Sequence, residues 1–151
     1  MLTLSKKRLF AIEAVLDIAF NAGGHPVQAA AITERQGIPK RYLEQVLQAL
    51  TRAGVLSGQR GPKGGYTLAR ERRRISVGDV LRVVRQIETS PDPITEAPGS
   101  SLGHQVVRPL WLELQQDVMA RLDRITIEDL CRRAQDSNLR PAVEHGIDFA
   151  I

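Results

Sequence analysis

The sequence predicts a mainly α-helical fold carrying one small β-hairpin, and three observations support this. Apolar residues recur at helical spacing through most of the first half of the chain. One stretch after Gly54 switches toward period two and is broken by a Gly-Pro-Lys-Gly-Gly turn. A further apolar seam of about six helical turns follows a segment rich in Pro, Ser and Gly.

From Lys6 to about Ala22, the residues Leu9, Ile12, Val15, Leu16, Ala19 and Phe20 lie at helical spacing, with Ser5 placed to cap the start. Gly23, Gly24 and Pro26 break that helix, and a second, short one runs through Ala29, Ala30 and Ile32 to about Gln36. Gly37 ends it. After Ile38 and Pro39, a third helix from Lys40 to about Ala53 has Leu43, Val46, Leu47 and Leu50 as its buried stripe. Two helices joined by so short a Gly-containing turn are a helix-turn-helix.

Residues 55–60 and 66–69 read as two strands joined by Gly61, Pro62, Lys63, Gly64 and Gly65. A hairpin with a basic tip directly after the third helix makes a wing, and its glycines would let backbone approach a duplex closely. Ser76, with Asp79 three residues on, caps a fourth helix through Val84. The segment 90–103 reads as a loop. A long helix from His104 to Ile125 then carries Val107, Trp111, Leu114, Val118, Leu122 and Ile125 along one seam. That seam has two readings: it pairs with the same helix of a second copy, or it packs on its own domain. Thr126 and Asp129 cap a short helix reaching about Ala134. The expected divisions are a winged helix-turn-helix domain at 1–86, a loop at 87–103, a dimerisation helix with the short helix at 104–135, and an unpatterned tail at 136–151.

Charge is unevenly placed. Residues 1–85 hold 15 Lys and Arg against 6 Asp and Glu, whereas residues 86–151 hold 6 against 11. A basic half joined to an acidic one suits a polyanion-binding part tied to a part with another task, although a solvated basic surface has the same composition. No apolar run approaches the roughly 20 residues of a membrane span. Glu13 and Asp17 interrupt the apolar N-terminal stretch, so it reads as folded and not as a signal. The single cysteine, Cys131, excludes an internal disulfide and fits a cytoplasmic location.

The outer face of the third helix offers Lys40, Arg41, Tyr42, Glu44, Gln45 and Gln48, residue types that read base edges and phosphates in double-stranded DNA. Arg60 and Lys63 on the wing, with Lys6, Lys7 and Arg8 at the start of the first helix, are candidate phosphate or minor-groove contacts. The run Arg70, Arg72, Arg73 and Arg74 has the simpler reading of a solvated charge cluster. His25, His104 and His145 sit in a turn, a loop edge and the tail with no nucleophile or acid-base motif around them, so an enzyme is not expected.

The stretches LSKKRLFAIEAVLDIA, ITERQGIPKRYLEQVLQALTRAGVLSGQRGPKGGYTLAR and ISVGDVLRVV resemble the IscR, NsrR and CymR family of dimeric winged-helix regulators, sometimes called the Rrf-two family. The resemblance covers most of residues 1–134. Its most specific elements are Tyr42-Leu43-Glu44-Gln45, Arg60 through Tyr66, and the Leu110-Trp111 step. It implies a homodimeric, sequence-specific transcription regulator, expected to be a repressor, that binds a pseudo-palindromic operator and pairs through its long helix. Several relatives hold an iron-sulfur cluster before that helix with three cysteines and often a histidine. Here residues 90–108 contain no cysteine, and Arg108 stands where a histidine is usual, so no cofactor and no metal is expected. The effector is then a partner protein, a small ligand or a redox event. A winged-helix protein-interaction module without specific DNA binding is the alternative reading.

Overall fold

The computed structural model describes residues 4–88 and 91–142. Helix α1, Lys6–Asn21, starts where Ser5 Oγ accepts a hydrogen bond from the Arg8 amide. Its buried face is Ala11, Ala14, Val15 and Ile18, whereas Leu9 is 43% exposed. The small alanines allow close approach, and α1 becomes the central rod against which α2 (Ala29–Gln36), α3 (Lys40–Arg52), α4 (Val77–Ile87) and α6 (Ile127–Asp136) pack. Asp17 is also on that face, 2% exposed. It accepts two hydrogen bonds from Arg35, at 2.6 and 2.9 Å, and one from Gln36 Nε2 at 2.8 Å. The charge expected only to interrupt an apolar run therefore fastens α2 to α1. Gly37 ends α2 in the left-handed region at φ 66°, where a residue with Cβ would be strained.

Strands β1 (Leu56–Gln59) and β2 (Gly65–Leu68) pair antiparallel, Leu56 opposite Leu68 and Gln59 opposite Gly65. Val27 adds a bridge to β2 by exchanging backbone hydrogen bonds with Tyr66 at 2.8 and 2.9 Å. That bridge explains Gly65, and the hairpin's own turn explains Gly64. A Cβ on Gly65 would lie 2.5 Å from the Val27 carbonyl oxygen, and one on Gly64 would lie 2.2 Å from that of Gln59. These two glycines are required by packing within the protein itself, whatever they also allow toward a duplex.

Helices α4 and α6 begin side by side. Each starts in a complete capping box, Ser76 with Asp79 and Thr126 with Asp129. The two starts pair through the Val77 amide to the Ile125 carbonyl and the Ile127 amide to the Ile75 carbonyl, both at 2.8 Å. Ile127 and Cys131 then join the core formed by α1. The short last helix, grouped by sequence with the dimerisation helix, thus belongs to the winged body. Cys131 is 1% exposed, and burial pushes its thiol above the usual range.

The long helix differs from expectation at both ends. Helical backbone begins at Ser101, passes through a π-helical turn at Gly103–Val107, and continues as α5, Arg108–Leu122. The loop is therefore shorter than the sequence implies, because Ser101 to Gly103 are already helical ahead of the expected start at His104. Ile125, expected as the last seam residue, lies past the helix end, where its carbonyl is used by Val77. A Cβ on Gly78 would lie 1.9 Å from Asp123 Oδ1, so glycine there lets the end of α5 seat against the first turn of α4. Of the other elements, α5 packs chiefly on α4. Beyond α6 the chain turns back, and the Ala142 amide donates to Asn21 Oδ1 at 2.8 Å. The rest of the expected tail lies outside the described residues, and no described helix is long and apolar enough to cross a membrane.

Candidate nucleic-acid interface

Helix α3 divides cleanly by its 3.6-residue period. Leu43, Val46, Leu47, Ala49 and Leu50 are buried, while Lys40, Arg41, Glu44, Gln45 and Gln48 are exposed. The spacing Arg41, Gln45, Gln48 extends by one further step to Arg52, also exposed, which the sequence analysis missed although its position follows from the same period.

Two of the residues expected on this surface are committed elsewhere. Tyr42 is half-buried beside Phe10, with ring centroids 6.0 Å apart, and its hydroxyl donates to the Lys7 carbonyl. Burial, aided by the negative charge of Glu88, pushes its phenol up to about 12. Its task is to hold the start of α1 beside the first turn of α3. Arg8 turns to the end of α4 instead of outward, donating to both carboxylate oxygens of Glu88 at 3.2 and 2.9 Å. That bidentate pair holds the Glu88 carboxyl below the usual carboxylate range. Eighty positions separate the partners, so no local pattern exposes the pairing.

Lys6 and Lys7 are exposed at the end of α1 that Tyr42 anchors. On the wing, Arg60 and Lys63 are exposed, and Gln28 Nε2 donates to the Pro62 carbonyl at 3.1 Å, steadying the tip.

The cations separate into two populations. Arg70, Arg72, Arg73, Arg82 and Arg85 each have a carboxylate within 4.0 Å, namely Asp79, Glu128, Glu71, Asp123 and Asp92. Among the described residues, Lys6, Lys7, Lys40, Arg41, Arg52, Arg60 and Lys63 have none. Arg74 apart, the unneutralised positive charge of the basic half therefore lies on α3, the hairpin and the start of α1. Such a surface attracts a polyanion, because its cations need not first surrender an internal partner.

The loop before α5 is closed by side chains. Arg108 donates to the Glu96 carbonyl and, at 2.5 Å, to that of Pro98, while His104 Nε2 lies 3.0 Å from the Ala97 carbonyl. Three successive carbonyls are thus held from one helix turn. His104 Nδ1 lies 3.2 Å from Arg108 Nη1, so a neutral ring protonated at Nε2 satisfies both contacts. A Cβ on Gly99 would lie 2.9 Å from Arg108 Nη2. This arrangement does not fit an iron-sulfur cluster: the loop offers no thiolate, its one imidazole is engaged, and the guanidinium beside it is a cation that cannot ligate iron. Among the described residues, no group of three or more His, Cys, Asp and Glu could hold a metal ion. His25 is an exposed turn residue, and His145 lies outside the described residues. Arg108→Ala is expected to free the Glu96 and Pro98 carbonyls, leaving only that of Ala97 held, by His104. Hydrogen exchange at the described loop amides between 91 and 100 should then accelerate while that of α3 does not; unchanged loop exchange would show that the clasp contributes nothing to loop order.

Comparison with known proteins follows the same lines. A family model named Rrf2 and described as an iron-dependent transcriptional regulator matches residues 4–133. The chain is 35% identical over 150 residues to an HTH-type transcriptional regulator of Synechocystis, slr0846, covering 98% of this chain and 99% of that protein. It is 36% identical over 129 residues to the HTH-type transcriptional regulator IscR of Escherichia coli, covering 84% of this chain and 78% of that one. Among solved structures, T. potens IscR superposes with a TM-score of 0.72 at 32% identity, over 95% and 96% of the two chains. CymR of B. subtilis, the global cysteine regulator, superposes with a TM-score of 0.69 at 30% identity, over 88% and 98%.

Proposed function

Since the chain belongs to the Rrf2 family of winged-helix, DNA-binding transcriptional regulators, we propose that it acts as a homodimeric repressor on a pseudo-palindromic operator. Helix α3 enters the major groove of each half-site, and the wing reaches the adjacent backbone and minor groove. The observation that carries this reading is the concentration of unpaired cations on α3, the hairpin and the start of α1, whereas, among the described residues, all the arginines from 70 to 85 but Arg74 have a carboxylate partner. The exposed apolar residues of α5 supply the pairing surface: Val107 and Leu110 are more than half exposed, and Trp111, Leu114 and Val118 more than a third. Leu122 is half-buried at its end. The control signal is a partner protein or a small ligand acting at or near the clasped loop, not a cluster held by the usual thiolates. No catalytic step is proposed.

Arg41 suits guanine edges and Gln45 adenine, each contact worth about 1–3 kcal/mol of discrimination. Selection of sites from random duplex DNA should enrich an inverted repeat. Arg41→Ala and Gln45→Ala should each relax one position per half-site, whereas Lys63→Ala should weaken every sequence alike. Equal losses on selected and random duplexes for the two α3 variants would overturn their base-reading roles. A shallow salt dependence with nothing enriched would replace the whole reading with a protein-interaction module.

A further inference from the structure

Adjacent major and minor grooves of a duplex are divided by one sugar-phosphate strand, so a protein that enters both must leave a channel for that strand. The structure has an open cleft between α3 and the hairpin. Gln48, Thr51 and Arg52 form the α3 wall, Gln59 and Arg60 the hairpin wall, and Tyr66 part of the floor. Two guanidinium-bearing residues thus face one cleft from opposite sides, and among the described residues neither has a carboxylate within 4.0 Å. Thr51 Oγ1 is turned back to the Leu47 carbonyl at 2.8 Å, which leaves Arg52 and the glutamine amides as the polar groups α3 and β1 present. Glu44, the one acid on the exposed face of α3, lies eight positions earlier, about 12 Å away along the axis.

We infer that this cleft seats the phosphodiester strand between the two grooves, with Arg52 as the phosphate anchor that sets how deeply α3 enters. The inference rests on the DNA-binding reading above and adds a site to it. A planar guanidinium donates to two oxygens of one phosphate, so Arg52 fixes orientation as well as charge. Gln48 and Gln59 present amide N–H groups to the same strand. Arg52 reads no base; it positions the residues that do.

The test uses the full-length chain, its selected duplex and a random duplex, each over a salt series. Arg52→Ala is expected to weaken both duplexes by the same factor, roughly 10- to 100-fold. The slope of log affinity against log salt should fall by about one, with the preferred sequence unchanged. Arg52→Lys should restore the slope and only part of the affinity. Replacing single phosphates with neutral methylphosphonates should reveal one position per half-site, between the base pairs met by α3 and by the wing, where the parent loses affinity and Arg52→Ala loses nothing further. An Arg52→Ala protein that binds like a tightly binding parent would overturn the seat while leaving the DNA reading intact. A changed sequence preference would overturn it too, by making Arg52 a base reader. A parent with no salt-dependent duplex binding would remove both.

Discussion

Replacing Leu114 with Asp is expected to give a folded single-copy protein whose affinity for a two-half-site operator falls by about 10²- to 10⁴-fold. No residue of α5 is buried within one chain, and Leu114 is 39% exposed. The fold therefore loses little, while a two-fold interface receives the substitution twice, because the same patch serves both copies. Two carboxylates brought into an apolar contact must be desolvated without partners, a cost of several kcal/mol each that a helix-helix contact of this length cannot offset. Once the copies part, the second half-site is no longer held at high effective concentration, and the avidity disappears. Binding to an isolated half-site should be unaffected, since α3 and the wing are untouched. Sedimentation alongside operator titration checks both statements, and a variant that still sediments as a dimer would show that the seam is not the interface.

Arg35→Ala should destabilise the helix-turn-helix as much as truncating a core leucine, by about 3–5 kcal/mol. The Asp17 side chain is inaccessible to solvent, and the substitution would leave it only the Gln36 amide for a full negative charge. In a protein of this size each kcal/mol lowers the melting temperature by about 2–4 °C, so a fall of about 10 °C is expected. Asp17→Ala should cost less, about 1–3 kcal/mol, because the Arg35 side chain is 30% exposed and can turn to water. The order of the two variants in thermal denaturation is the informative result. If Asp17→Ala proved the more damaging, the loss would lie in α1 packing and not in an abandoned carboxylate.

The helix-turn-helix and hairpin are legible in the sequence because each is a local pattern. Gly37 marks a left-handed helix end, Leu43 to Leu50 follow a helical stripe, and the Pro-Lys-Gly-Gly turn sits between two short alternating runs. The exposed face of α3 is legible for the same reason, and extending its period one step would have found Arg52. What escapes is anything decided by distant partners. Asp17 resembles a solvated charge until Arg35 meets it, and Arg8 resembles a phosphate contact until Glu88 captures it. Tyr42 belongs by spacing to the reading face, yet its hydroxyl is spent on Lys7. The return of α6 rests on Ile127 and Cys131, too few apolar positions to announce which body they enter. The helical start at Ser101 contradicts local propensity, since Gly103 falls inside it and capture of the preceding carbonyls by His104 and Arg108 supports that turn.

The backbone rungs joining Ser76 to Thr126, together with the close seat of Asp123 on Gly78, leave the long helix bolted to the winged body at its C-terminal end. A pair of such chains would behave as a caliper with fixed jaws: the gap between reading heads is set by rigid metalwork and not by a slack cord. A target lengthened by one base pair turns the second half-site by roughly 35° about the duplex axis. A caliper of this build has no joint with which to follow it.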